Sequence, residues 1–227
     1  MRIDIVTGLP KLLESPLQES IIRRAQDKGK VGIFVHDLRD FTHDKHKTID
    51  DTPYGGGAGM ILKPEPVFEC VESLRRERTY DEILLMTADG ETLNQRIAND
   101  LSLRENVMLI CGHYKGVDER VRESLVTRSI SIGDFVLTGG ELAAAVVVDA
   151  VVRLVPGVLN DSESALTDSF QDGLLGAPQY TRPPEYRGMK VPDVLLSGNH
   201  SEIDKWRQGQ RAERTETRRR GLSNRNS

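Results

Sequence analysis

The chain has 227 residues, 37% of them hydrophobic and 29% charged, with a formal net charge of -4. That length holds one large domain or two modest ones, and the composition is that of an ordinary soluble globular protein. No overall basic field points to a nucleic-acid partner, and the longest apolar run, Leu142 to Val148, is too short to span a bilayer. The charge is uneven: residues 201–227 hold eight Lys and Arg against four Asp and Glu, a local +4, which leaves -8 for the first 200. Cys70 and Cys111 sit apart in apolar surroundings, as expected of reduced core thiols in a cytoplasmic protein. Arg2 and Asp4 interrupt any apolar start, so no signal peptide is expected.

Met1 to Val6 reads as an opening strand. Leu12 to Ala25 predicts two short helices broken at Ser15-Pro16, and Lys30 to His36 a strand. Asp37 to Gly59 is too polar and glycine-rich for a regular element; a loop this long in a compact domain is usually functional or disordered. Pro64 to Arg76 predicts a helix with Phe68, Val71 and Leu74 on one face. Glu82 to Thr87 reads as a buried strand closed by the turn Ala88-Asp89-Gly90, and Leu93 to Leu101 as a helix. Asn106 to Cys111 is a strand ending in Gly112-His113-Tyr114-Lys115-Gly116. A short helix over Asp118 to Val126 and a strand over Ser129 to Leu137 follow. Thr138-Gly139-Gly140 then turns the chain into a helix starting at Glu141. It is apolar on nearly every side, so it should be buried, and Pro156-Gly157 stop it.

The alternation predicts an α/β fold with a mostly parallel sheet covered on both faces. Ligands gather at the C-terminal ends of such strands, where Gly90, Gly112 and Gly139-Gly140 lie. The reading gives an α/β domain over 1–157, a flexible polar linker over 158–181 and a small helical domain over 182–227. The last helix should carry Ile203, Trp206 and Gln210 on one face, and the terminal GLSNRNS should fray.

Taken singly, the motifs have bland readings. Gly55-Gly56-Gly57-Ala58-Gly59 lacks the Lys and Ser/Thr of a phosphate-binding P-loop, and no strand runs into it. A loop that closes on a substrate is better supported, because four glycines in five residues cost entropy that a connector does not need. His43, Asp44, His46, Asp50 and Asp51 match no standard metal set. Asp168 alone reads as a helix cap or solvated acid, and Arg153 as a cation favoured near a helix C-terminus. Arg218-Arg219-Arg220 reads as a solvated end or a phosphate clamp.

Together the stretches say more. HDKHKTIDDTPYGGGAGM, LICGHYKGVDER, SIGDFVLTGGELAA and DSFQDGLL followed by PQYTRP occur in an order that resembles the bacterial tRNA (guanine-N1)-methyltransferases of the TrmD type. The likeness continues to VLLSGNHSEIDKWR at Val194 to Arg207. It implies the deep trefoil-knotted α/β fold of the SPOUT methyltransferases with a small C-terminal helical domain. It also implies a cytoplasmic homodimer with its active site between subunits and no membrane partner. The implied reaction moves a methyl group from S-adenosylmethionine to N1 of guanine at position 37 of tRNA, 3′ of the anticodon and after another guanine.

Carried over by motif, donor contacts fall on Leu85, Met86 and Thr87, on Gly112, Tyr114 and Gly116, and on Ile132, Gly133, Asp134, Phe135, Val136, Leu137, Gly139 and Gly140. Tyr54, Gly55, Gly56, Gly57, Gly59 and Ser169 are the implied substrate contacts. Asp168, the acid of the DSF motif, is the implied base for the N1 proton, and Arg153 the cation for charge growing on O6. The resemblance admits a divalent ion such as magnesium as an assistant. Three positions depart from the family pattern: Lys115 stands where an acid is frequent, Phe135 where Tyr is, and Thr87-Ala88-Asp89 replaces a turn richer in Ser, Pro and Gln. Two rival readings are ribose methylation by a related knotted fold and RNA binding without catalysis. The GG turn with both Arg153 and Asp168 weighs against the second.

Overall fold

The computed structural model describes residues 1–159 and 168–219. It divides into two compact units, Met1–Ser162 and Glu163–Ser227. The acidic stretch around Asp161, together with Arg220 and the GLSNRNS end, lies outside the described residues.

The first unit is built on a five-stranded sheet in the order β2-β1-β6-β5-β7, with every pairing parallel. The strands are β1 (Arg2–Thr7), β2 (Gly32–Asp37), β5 (Glu82–Thr92), β6 (Asn106–Cys111) and β7 (Arg128–Ser131). Central strands buried on both sides need apolar residues on both faces, and Ile83–Met86 of β5 and Val107–Cys111 of β6 supply them. Leu84, Met86, Val107, Leu109 and Cys111 face one core, while Ile83, Leu85, Met108 and Ile110 face the other. The first core is closed by α1 (Glu14–Leu17), α2 (Ser20–Asp27), α4 (Gln95–Ser102) and α6 (Glu141–Val152). The second is closed by α3 (Pro64–Glu77) and α5 (Glu119–Leu125). Helix starts follow capping chemistry: the Asn94 side chain accepts from Ile97 N, and that of Asp118 from Arg120 N.

Four expectations are corrected. Ser15-Pro16 breaks no helix: Pro16 lies in the first turn of α1, where its missing N–H costs nothing, and the chain turns instead at Ser20 with φ +54°. Asp37 to Gly59 is not wholly irregular: Leu38–Phe41 form a 3-10 turn, and β3 (Asp50–Asp51) pairs antiparallel with β4 (Ile61–Leu62). Ala88-Asp89-Gly90 does not end β5, which bulges between Met86 and Glu91, both of which face Ile130. A Cβ on Gly90 would fall 2.6 Å from the Ile130 nitrogen, so only glycine lets the bulge lie this close. The strand predicted over Ser129 to Leu137 stops at Ser131, whose hydroxyl accepts from Gly133 N at 3.2 Å, and Phe135 N then donates to Gly133 O at 2.9 Å. This local turn consumes the groups that a continuing ladder would need.

Helix α6 is buried along most of its length, but Leu142 and Val146, one turn apart, are exposed by 53% and 47%. The expected core position of α6 therefore holds for most of its length, and only this stripe of apolar side chains points away from the sheet.

The second unit contains a small hairpin of β8 (Glu185–Tyr186) and β9 (Met189–Lys190), a single turn α7 (Asp193–Leu196) and the long α8 (His200–Arg218). Ile203 of α8 is buried, with Trp206 and Gln210 partly so, which is the predicted face. The same side continues to Arg211 and Thr215.

Candidate active site

The parallel sheet brings the bulge of β5 and the C-terminal end of β6 beside the segment that follows β7. One cleft opens there, lined by Met86, Thr87, Gly112, Tyr114, Gly116, Ile132, Phe135, Val136, Leu137, Gly139 and Gly140. Eleven of the fourteen residues carried over as donor contacts thus meet in one place. Leu85 does not turn a side chain toward it, because its place in the pleat sends it into the core with Met108 and Ile110. Gly133 lies under the Phe135 ring, and Asp134 is exposed on the turn. The rim is apolar and open: Phe135, Val136 and Tyr114 are 53%, 85% and 47% exposed. Among the lining residues Lys115 carries the one fixed charge.

The glycine-rich loop is rooted at this cleft. Lys115 N donates to Met60 O, Leu62 N to Gly116 O, and Asp118 N to Leu62 O. The loop itself stands free, with Gly55, Gly56, Gly57 and Gly59 all at positive φ, where a side chain would be strained. Tyr54 at its tip is fully exposed. His43 pairs with Glu69 at 2.8 Å, and the Asp44 carboxylate accepts from the backbone of His46 and Thr48. Among the described residues no group of three His, Cys, Asp or Glu side chains is arranged to hold a metal.

Arg153 occupies the capping position at the C-terminal end of α6 and is half-buried. Asp168 belongs to the second unit and is half-buried there. Its neighbourhood is held firmly: Ser169 Oγ accepts from Gly176 N at 2.8 Å, and Leu175 N donates to Thr215 Oγ1 at 2.9 Å. Arg211 donates to Asp172 and to Leu175 O, and hydrogen bonding to Arg211 holds Asp172 below the usual carboxylate range against the opposing effect of burial.

The profile of the family described as tRNA (Guanine-1)-methyltransferase TrmD matches residues 1–225. The chain belongs to the TrmD family. A Flavobacterium psychrophilum protein named tRNA (guanine-N(1)-)-methyltransferase is 58% identical over 219 residues, covering 96% of this chain and 97% of its own. Proteins of the same name are similar from Bacteroides thetaiotaomicron, 56% identical over 215 residues with 95% and 96% covered, and from Cytophaga hutchinsonii, 58% over 219 with 96% and 93% covered. As a TrmD family member the chain is a tRNA-modifying methyltransferase with an α/β fold.

Sequence reasoning missed one feature of this TrmD cleft. Glu141, read only as the first helical residue, is 1% exposed and accepts from the Thr7 hydroxyl at 2.7 Å. The other carboxylate oxygen lies 3.7 Å from His113 Nδ1. An acid that interrupts an otherwise apolar helix start, after two glycines, was the available signal.

Two further groups bear on the thiol expectation. Cys70 and Cys111 are free and buried. Burial pushes the Cys70 thiol up to about 12, and burial with the nearby Glu141 charge raises that of Cys111. Both therefore stay protonated and inert.

Proposed function

We propose that this chain transfers a methyl group from S-adenosylmethionine to N1 of guanine at position 37 of tRNA, with Asp168 as base and Arg153 as the cation facing O6. The observation that carries the reading is the cleft: the β5 bulge and the turns after β6 and β7, rimmed by apolar side chains. Such a site suits an adenosyl group, since backbone N–H and C=O groups read the purine edge while Phe135, Val136, Leu137 and Tyr114 cover its faces. When bound, S-adenosylmethionine would supply an electrophilic methyl group, whose bond to sulfur breaks with the electron pair left on a neutral thioether. The protein's own residues supply the rest.

Guanine N1 carries a proton at neutral pH, and its lone pair is drawn into the ring amide. A base must accept that proton as the new N–C bond forms, and Asp168 takes that role. Negative charge then grows on O6, where a guanidinium lowers the barrier, and Arg153 takes that role. Tyr54 at the loop tip offers an aromatic face to an unstacked base, with Gly55, Gly56, Gly57, Gly59 and Ser169 as further substrate contacts. Basic residues of α8 add salt-dependent contacts to tRNA phosphates.

The same reading includes a homodimer, a trefoil knot in the first unit and a cytoplasmic setting. The exposed Leu142 and Val146 stripe of α6 supports a second copy packing there. Buried free thiols suit a reducing compartment, and no described helix is long and apolar enough to cross a membrane.

The Asp168→Ala variant tests the assignment. It is expected to bind S-adenosylmethionine by calorimetry as the wild type does and to lose turnover by at least a hundredfold, the usual scale for a general base. Normal turnover in the folded variant would sink the base assignment. Parallel assays with and without magnesium test whether the ion assists.

A further inference from the structure

The motif Thr138-Gly139-Gly140-Glu141 places a carboxylate where it is costly. Glu141 opens α6 at 1% exposure beneath the cleft, and only one of its oxygens is satisfied, by the Thr7 hydroxyl. Glu141 Oε2 and His113 Nδ1 are both buried without a hydrogen-bond partner, and they face each other at 3.7 Å. A native buried polar atom without a partner calls for an explanation. The two are complementary, and a small ring movement closes a hydrogen bond from Nδ1–H to the carboxylate.

The glycine between them makes this approach possible. A Cβ on Gly139 would lie 2.2 Å from His113 Nδ1 and 2.4 Å from Glu141 Oε2, so any side chain there would part the pair. The backbones are already joined: His113 and Gly139 form an antiparallel bridge, and Gly140 N donates to Gly112 O at 2.7 Å. Nδ1 itself is buried although the His113 side chain is 21% exposed, so the ring presents its other atoms outward, and His113 lines the cleft. The ring also stands edge-to-face on Tyr114 at 4.7 Å, which ties its orientation to that of a second lining side chain.

We propose that Glu141 is a positioning residue: anchored by Thr7, it holds the His113 imidazole through Nδ1–H and so fixes the His113–Tyr114 wall of the donor cleft. The donor part of this statement rests on the function proposed above. With Nδ1 committed to Glu141, a neutral His113 keeps its lone pair on Nε2. The carboxylate acts through the ring and touches no substrate.

Nitrogen-15 spectroscopy of histidine-labelled protein tests this, with the His113 signal assigned by its loss in His113→Gln. At pH 8 the wild type should show the Nδ1–H tautomer. In Glu141→Gln the amide oxygen still accepts from Thr7, and its NH2 then faces Nδ1, so the ring should switch to Nε2–H. The dissociation constant for S-adenosylmethionine should rise at least fivefold in the same variant, and Glu141→Asp should restore the tautomer. A variant that melts lower but keeps both the wild-type tautomer and the wild-type affinity overturns the proposal, since that is what a purely structural acid would give. A switched tautomer with unchanged affinity overturns its link to the cleft. If Glu141→Gln does not fold, Thr7→Val decides: a mixture of tautomers with weakened affinity supports the proposal, and wild-type behaviour in both overturns it. A wild-type protein that binds no S-adenosylmethionine would refute the donor reading, while the tautomer would still judge the pair.

Discussion

Replacing Asp4 by Asn should weaken the fold in a pH-dependent way that the structure specifies. Asp4 is fully buried in β1, yet it accepts from Arg2 at 2.7 and 2.9 Å and from the Tyr80 hydroxyl at 2.9 Å, and it bonds His36 Nε2 at 2.7 Å. Burial pushes its acidity toward higher values, but the bonds from His36, Arg2 and Tyr80 outweigh that and hold the carboxyl at about 2, down from 3.8. A folded value below the unfolded one means that the ionised form stabilises the fold above the unfolded value. That stabilisation is lost as pH falls through the folded one. The shift corresponds to about 2 kcal/mol, of which about half is gone by pH 3. Urea unfolding of wild type and Asp4→Asn at pH 7 should therefore differ by roughly 2–4 kcal/mol, because the variant also replaces one accepting oxygen with an NH2 group that faces donors. At pH 3 the gap should narrow by about 1 kcal/mol. A gap that stays constant between the two pH values would show that the Asp4 carboxylate is not stabilised by these partners.

The remaining expectations concern the cleft and the second unit. A Cβ on Gly140 would lie 3.0 Å from Cys111 Cα, Gly112 N and Met86 Cβ, so Gly140→Val should cost about 1–3 kcal/mol of stability by overpacking. It should also reduce S-adenosylmethionine affinity at least tenfold, and unchanged affinity by calorimetry would contradict the site. Thr215→Val removes the acceptor for Leu175 N and should loosen the segment that carries Asp168, lowering kcat while leaving donor affinity alone. Equal losses in both would contradict a role of this segment confined to the proposed base.

Much of the fold was legible in the sequence because its signals were long and consistent. The apolar runs of β5 and β6 announced a parallel sheet, and two of the three expected glycine turns, Gly112 and Gly139-Gly140, meet at the cleft. Local detail was less legible where tertiary contact decides. Nothing in Ala88-Asp89-Gly90 says that the strand resumes, because the resumption depends on how closely Gly90 can lie on Ile130. The Ser129 to Leu137 run reads as strand by hydrophobicity, yet the Ser131 hydroxyl and the Gly133 turn divert it and turn Phe135 and Val136 outward as the cleft rim. Asp168 and Arg153 carry no local signature of chemistry, and their proposed roles came from the family's motif order. Glu141 was harder to read: an acid opening an otherwise apolar helix is a weak signal, and its partner Thr7 lies far away in sequence.

The central claim is tested most directly by methyl incorporation from labelled S-adenosylmethionine into two tRNA transcripts that differ only at position 37. Label is expected in the guanine transcript alone, recovered as 1-methylguanosine after digestion. Label on a ribose, or equal label in an adenine-37 transcript, would contradict it.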